Sequence, residues 1–334
     1  MSSGPSSAPG GSAGQSASSG PTSASGLSEP TSAAADGGAS SSSRAAAGGT
    51  KKENSPSEPA GASDLSALAV AYFRDLQGRI CAAFEAFEPT KRFEQRDWKR
   101  PDDHRLKGGG WSRLMRGDVF EKVGVNVSHV WGALDPKFRG QIPGADASEG
   151  HFEATGISLV AHMYNPYVPA VHMNLRFLRT SRAWFGGGSD LTPTFPFDED
   201  TTDFHAALKQ ACDTYRPDAY AEFKAWCDRY FYLPHRKEPR GVGGIFFDEL
   251  ASGNVDADFA FVRAVGEAFV SVYPRIVARR KDLPFDDAAR EKLFFKRGRY
   301  VEFNLVYDRG TRFGFGTDAD PDAYLMSLPP IVRW

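Results

Sequence analysis

No run of apolar residues in this sequence approaches the ~20 that a membrane-spanning helix needs, so no transmembrane segment is expected. Cysteine is scarce as well. Cys81, Cys212 and Cys227 are odd in number and form no C-x-x-C pair, which argues against a disulfide framework and fits reduced thiols. Forty Lys and Arg nearly balance 42 Asp and Glu, for a formal net charge of −2. That balance supplies no field for nucleic acid or an anionic membrane, and neither is an expected partner. There is no Walker loop, and the glycine clusters at 108, 186 and 241 do not fit G-x-G-x-x-G between a strand and a helix, so nucleotide cofactors are not expected. The G-x-S-x-G elbow and the H-E-x-x-H pair, the commonest hydrolase signatures, are missing too.

Large side chains are nearly absent from residues 1–62, where Leu27 is the only Leu, Ile, Val or aromatic residue. Such a segment cannot bury a core and reads as a disordered low-complexity tail. It has no apolar signal run, and its basic residues are only Arg44, Lys51 and Lys52. A cytoplasmic location follows, with organelle import by the tail as the alternative. Residues 63–334 read as one domain, within the range that one large sheet organises.

That domain opens with a helix over 63–88, striped by Leu65, Leu68, Ala69, Tyr72, Phe73, Leu76 and Ile80. A polar stretch follows, through 96–100 and Gly108-Gly-Gly110. Strands are expected at 122–129, 156–163, 170–179 and 183–185, then helices at 203–213 and 217–230, a strand at 241–248 and a helix at 257–281. Residues 299–308 alternate, Val301, Phe303, Leu305 and Tyr307 against Tyr300, Glu302, Asn304 and Val306, and are expected to form a strand. Strands grouped apart from helices favour an α+β fold with an antiparallel sheet over a doubly wound one.

Chemistry concentrates in His172-Met-Asn-Leu-Arg-Phe177. A side-chain period of two puts His172, Asn174 and Arg176 on one face and Met173, Leu175 and Phe177 on the other. Arg176 suits a carboxylate ligand, since its planar fork bonds both oxygens; an imidazole such as His172 exchanges protons near neutrality. Asp190 follows Gly186-Gly-Gly188, whose backbone can approach a ligand closely. Ser158 and His162 share a face of the preceding strand, and the short turn Asn165-Pro-Tyr-Val-Pro169 can gather Ser158, His162, His172, Asn174 and Arg176 around one opening. On local pattern alone a hydrated strand face followed by a polar turn explains these residues equally well. His205 and His235 lie on or beside the helices; four histidines suit a divalent metal, although separate hydrogen-bonded histidines are the commoner outcome.

Long motifs in one order decide between these readings. Phe120-Glu-Lys-Val-Gly-Val-Asn126, Gly156-Ile-Ser-Leu-Val160, Val171-His-Met-Asn-Leu-Arg176, Trp184-Phe-Gly-Gly-Gly-Ser-Asp-Leu-Thr-Pro193, Arg240-Gly-Val-Gly-Gly-Ile-Phe-Phe-Asp248, Gly298-Arg-Tyr-Val-Glu-Phe-Asn304 and Met326-Ser-Leu-Pro-Pro330 resemble the aerobic coproporphyrinogen III oxidases. The resemblance runs from about Phe120 to Trp334. It implies a homodimer with a large, flat antiparallel sheet flanked by helices. It also implies an oxidoreductase of haem and porphyrin biosynthesis that converts the ring A and B propionates of coproporphyrinogen III to vinyls, giving protoporphyrinogen IX. Oxygen is the co-substrate and no organic cofactor is used. Ser158, Asn174, Leu175, Arg176 and the segment Asp318, Ala319 and Asp320 are thereby implied as substrate contacts, His172 as proton donor and Asp190 as the carboxylate facing the pyrrole N–H groups. His162, His172, His205 and His235 are implied as ligands of a divalent metal in bacterial members, and 300–334 as the dimerisation stretch. Two departures stand out. Asp318-Ala-Asp320 replaces a segment that often ends in a propionate-binding Arg, for which Arg312 or a neighbour would have to substitute, and many members continue beyond the position of Trp334 into a further helix.

The residues fit that chemistry. A porphyrinogen offers inward N–H donors and peripheral carboxylates, which one buried anion and rim guanidinium groups complement. With Asp190 holding or deprotonating a pyrrole N–H, the electron-rich ring would react with oxygen, and the resulting peroxide would take a propionate β-proton as carbon dioxide leaves. A tetrapyrrole carrier and a His-metal hydrolase are the competing readings.

Overall fold

The computed structural model describes residues 62–316 and 320–334, with side chains from Leu65 onward. Helix α1 (Ala62–Glu85) precedes six strands: β1 (Glu94–Lys99), β2 (Leu106–Met115), β3 (Lys122–Ala133), β4 (His151–His162), β5 (Ala170–Arg179) and β6 (Ala183–Thr192). A helical turn α2 (Pro136–Arg139) interrupts the β3–β4 connection. Helices α3 (Asp198–Asp213) and α4 (Ala219–Tyr230) and a two-stranded hairpin, β7 (Tyr232–Leu233) with β8 (Glu238–Pro239), precede β9 (Gly243–Leu250). Then come α5 (Val255–Arg280), α6 (Asp287–Val306), α7 (Arg309–Gly316) and α8 (Pro321–Tyr324), which runs into a 3-10 turn, Leu325–Ser327.

Seven strands form one antiparallel sheet in the order β1-β2-β3-β4-β5-β6-β9. The two faces differ because the strands alternate. On one face Val123, Val125, Val127, Ile157, Leu159, Val171, Met173, Leu175, Phe177 and Phe247 join Phe73, Leu76 and Ile80 of α1 and Val262, Val265, Phe269 and Val272 of α5 in the main core. The opposite face carries the polar positions and is partly covered by α4, α6 and the C-terminal segment.

Three expectations require correction. Residues 299–308 are not a strand, because they lie in and just beyond α6. Leu293, Phe294, Arg297, Tyr300, Val301 and Asn304 are buried at helical spacing, whereas Leu305, placed by the alternation beside Val301, is 43% exposed. Asp286 caps that helix, its side chain accepting from Ala289 N at 2.8 Å. The aromatic and β-branched residues there read locally as strand, and packing overrides the preference. The polar stretches 96–100 and 108–110 lie instead largely within β1 and β2. Gly186–Gly188 is likewise no loop, because β6 continues through it to Thr192 as an inner strand, buried from Trp184 onward.

Glu153, on the core-side face of β4, ties α1 to the sheet. Its Oε1 accepts from Ser66 Oγ and from His129 Nε2 at 2.7 Å, and its Oε2 forms an ion pair with Arg179 Nη2 at 2.6 Å. The hydrogen bond from His129, followed by that from Ser66 and the positive charge of Arg179 and opposed by burial, pulls its carboxyl from 4.5 down to about 2. A depressed carboxyl contributes stability above pH 4.5 that is lost as pH falls toward 2. Glu153→Gln is therefore expected to be less stable at pH 7 and to lose less further stability than wild type between pH 5 and pH 3. Urea midpoints at those pH values check this, and equal acid losses in the two proteins would refute it.

Candidate active site

Antiparallel register lines the polar face into rows that cross the sheet. One row joins Ser112, Asn126, Ser158, Asn174, Gly188 and Phe246. The next joins Gly124, Val160, His172, Asp190 and Gly244, and on the other side Gly110, Ser128, Gly156, Arg176 and Gly186 line up. With neighbouring strands about 4.8 Å apart, Gly, Ser and Asn positions on β4–β6 make a low floor several strands wide. Polar tips stand along it only on β5 and at Asp190. The β3–β4 end of the face is roofed by the C-terminal segment. Asn126 Nδ2 donates to Ala323 O at 2.7 Å, Lys122 Nζ donates to Leu328 O at 2.7 Å, and Met326 fills the space above Gly124, where a Cβ would lie 2.1 Å from its sulfur. At the β9 end, Phe246 joins Cys227, Phe231, Leu233 and Phe303 in a second apolar cluster.

Across the floor runs a continuous set of hydrogen bonds. Arg176 Nη1 donates to Asn174 Oδ1 at 2.9 Å, Asn174 Nδ2 lies 3.1 Å from His172 Nε2, and His172 Nδ1 lies 2.9 Å from Asp190 Oδ1. Because arginine can only donate, it fixes the amide orientation of Asn174, whose NH₂ then donates to Nε2. The consistent tautomer carries its proton on Nδ1, donates it to Asp190 and presents Nε2 as an acceptor.

Asp190 is 1% exposed and more heavily paired than its sequence context suggests. Arg240 Nη2 donates to Oδ1 at 2.9 Å and to Oδ2 at 2.7 Å. Arg240 is itself buried, with Cζ 4.0 Å from the centroid of Phe231, 4.5 Å from Tyr300 and 4.7 Å from Phe303, and Nη1 on Asn304 Oδ1 at 3.1 Å. Burial alone would raise the Asp190 carboxyl, yet Arg240 and then His172 outweigh it and hold it below the usual carboxylate range. Of about four lone-pair sites on this carboxylate, three are taken. What stands beside the floor is a buried ion pair that orients an imidazole, with a guanidinium at the far end of the chain.

A sequence profile of the family described as Coproporphyrinogen III oxidase matches residues 69–334. The chain belongs to that family. Curated relatives called oxygen-dependent coproporphyrinogen-III oxidase from Rickettsia bellii (strain OSU 85-389), Rickettsia akari (strain Hartford) and Rickettsia conorii (strain ATCC VR-613 / Malish 7) are each 52% identical to it over 273 residues, covering 79% of this chain and 96% of the relative.

Of the residues that the coproporphyrinogen III oxidase resemblance implies, the structure brings Ser158, His172, Asn174, Arg176 and Asp190 to one face of three adjacent strands. Leu175 is a correction, since its side chain is buried in the main core on the opposite face and cannot touch a ligand on the floor. Asp318 and Ala319 lie outside the described residues. Asp320 pairs with Arg96 of β1 and caps α8, accepting from Asp322 N at 3.0 Å.

The four histidines do not gather. His162, whose imidazole burial pushes down to about 3, donates from Nε2 to Ser327 O at 2.8 Å. His205 is bonded to Tyr220 Oη and Val242 O, His235 to Tyr307 Oη and Glu302, and His172 to Asp190 and Asn174. Among the described residues no group of three or more His, Cys, Asp or Glu side chains could hold a metal ion. The expected ligand set therefore does not fit a shared ion within one chain.

Sequence reasoning gave no role to Arg240, Asn304, Asp248 or Arg309. Asp248 had a usable signal, because Gly244, Phe246 and Asp248 alternate on β9. Arg240 had none, since its place opposite Asp190 depends on the path of the chain through α3, α4 and the small hairpin.

Proposed function

We infer that this chain carries out the oxygen-dependent decarboxylation of coproporphyrinogen III to protoporphyrinogen IX, the ring A and B propionates becoming vinyls. The observation that supports this best is the run Arg176-Asn174-His172-Asp190-Arg240 laid beside a wide floor of small residues, a surface suited to a flat macrocycle with carboxylates at its rim. Arg176 holds a propionate as a charge-assisted pair. His172 Nε2 is the proton-exchanging atom; in the tautomer described it must take up a proton before it can give one. Asp190, already paired by Arg240, acts chiefly by fixing that tautomer, and its remaining lone pair is what a pyrrole N–H would meet. Oxygen accepts the electrons released as each propionate loses carbon dioxide and its β C–H bond, and the half-covered floor limits water around the reaction. Incubating purified protein with coproporphyrinogen III in air and under argon tests the reading: vinyl products are expected only in air. Tight binding without turnover in air would instead support the carrier reading.

No metal is assigned to this site, because the histidines are engaged separately. Exhaustive chelation is expected to leave turnover within about twofold of the untreated enzyme, and loss restored by a divalent ion would overturn that.

We read the active form as a homodimer. The segment 300–334 buries Tyr300, Phe303 and Met326 within its own chain while leaving Leu305, Val306, Phe315, Ile331 and Trp334 exposed, apolar side chains that a second copy would cover. Light scattering at the mass of one chain would remove this reading. Residues 1–62 are assigned no catalytic part, so a chain begun at Ser63 should keep its turnover. Among the described residues no helix is long and apolar enough to cross a membrane; a cytoplasmic location is proposed, which cell fractionation decides.

A further inference from the structure

Oxidisable sulfur is unevenly placed in this fold. Met115, Met163 and Met173 lie in the main core, none more than 2% exposed. Cys81, Cys212 and Cys227 are buried as well. Burial pushes the Cys81 and Cys212 thiols up to about 12 and that of Cys227 well above its ordinary range, so none supplies the thiolate that reacts with peroxide. Met326 differs from all of these. It is 8% exposed and lies on the floor side of the sheet, with its sulfur over Gly124. Gly124 stands in one row with Val160, His172 and Asp190, which puts it two strand spacings, about 10 Å, from His172.

Hydrogen bonds close the roof on either side of that sulfur. Ala323 O, Ser327 O and Leu328 O accept from Asn126, His162 and Lys122, all on β3 and β4. Ser327, the next residue along, also reaches the buried ion pair. Asn304 Nδ2 donates to Ser327 Oγ at 3.1 Å, and Asn304 Oδ1 accepts from Arg240, the guanidinium that holds Asp190. A thioether suits this place because it is apolar and asks little of those donors. A sulfoxide is a polar, bulkier acceptor that competes with the roof carbonyls for them. Gly124 leaves no slack beneath, since even a Cβ there would lie 2.1 Å from the sulfur.

We propose that Met326 is a peroxide-modified site: hydrogen peroxide formed on the floor oxidises its thioether to the sulfoxide, which loosens the C-terminal segment and, through Ser327, Asn304 and Arg240, slows turnover. The inference rests on the porphyrinogen reading above and adds to it a fate for the reduced oxygen. As carbon dioxide leaves a propionate, the electron pair of the broken C–C bond becomes the vinyl π bond, and the two electrons of the β C–H bond pass to dioxygen. With the β-proton and one more from solvent, dioxygen becomes hydrogen peroxide. Sulfur then bonds to one peroxide oxygen, the O–O bond breaks and water leaves. No further oxidant is needed, and a sulfoxide reductase reverses the change.

Two arms test this on the full chain. In the first, enzyme without substrate is titrated with hydrogen peroxide, and peptide mass spectra, limited proteolysis of the C-terminal segment and residual turnover are read at each dose. Met326 should gain oxygen at least about tenfold faster than Met115, Met163 or Met173, which are reached only by opening the core. Turnover should fall and cleavage rise in step with it, and methionine sulfoxide reductase should reverse both. Met326→Leu nearly conserves volume and should keep its turnover at doses that inactivate wild type. In the second arm, wild type turning over coproporphyrinogen III in air should accumulate the same sulfoxide, with none under argon. Loss of turnover with Met326 unmodified, a Leu variant as sensitive as wild type, a Met326 sulfoxide that leaves turnover unchanged, or none after turnover in air overturns the site while leaving the proposed reaction standing. Wild type that forms no vinyl product in air overturns both.

Discussion

Replacing Asp190 by asparagine is expected to lower both stability and turnover, and the two losses should separate in a double variant. The carboxylate is 1% exposed and faces a guanidinium that is 2% exposed. An amide in its place can still accept hydrogen bonds, but it leaves Arg240 as an uncompensated buried cation, which costs about 3–5 kcal/mol. Shape alone would let the isosteric variant fold normally, and it is the buried partner that makes the substitution costly. Turnover should fall by about two to three orders of magnitude, because the substitution removes a preorganised charge and the acceptor that fixes the His172 tautomer. Adding Arg240→Gln removes the stranded cation, so a substantial part of the lost stability should return while turnover stays low. Urea unfolding, run beside aerobic formation of vinyl product, makes the comparison. A single variant as stable as wild type would contradict the energetic account, and recovery of turnover in the double variant would remove Asp190 from catalysis.

His172→Ala should show the opposite balance. Its ring stands on the floor rather than in the main core, and Asp190 keeps both bonds from Arg240 when it is gone, so the unfolding midpoint should move little. Turnover should fall by about 10² to 10⁴, the usual share of a positioned acid–base group. Free imidazole added to the assay is expected to restore part of the lost rate, which a packing role would not allow. Near wild-type turnover without imidazole would assign proton exchange elsewhere.

Legibility in the sequence followed the local physics of each segment. The β5 strand was read with its observed bounds, Ala170–Arg179, and its alternation placed His172, Asn174 and Arg176 on one side and the buried Met173, Leu175 and Phe177 on the other. That signal survives because each face of the strand meets one environment along its whole length. At 299–308 the same reasoning failed. Helix α6 packs against different partners around much of its circumference, so Tyr300, Val301, Phe303 and Asn304 are all buried and the 3.6-residue period is blurred. Glycine misled in β6, where an inner strand lets neighbouring side chains such as Arg176 and Asp248 occupy the space above Gly186.

Motifs carried in the order of the chain were enough to indicate the family, the antiparallel α+β class and the polar residues of β5, since each of these resides in a contiguous run. Pairing across the chain was not available that way. Asp190 meets Arg240 from 50 positions away, and Asp248 receives Arg176 and Arg309 only because β6 pairs with β9 after a helical excursion and α7 returns over the sheet edge. Contacts of that range are set by topology and packing rather than by any local pattern, so tertiary structure alone revealed that the Asp190 carboxylate is held by an arginine and that a second guanidinium reaches the same side of the sheet.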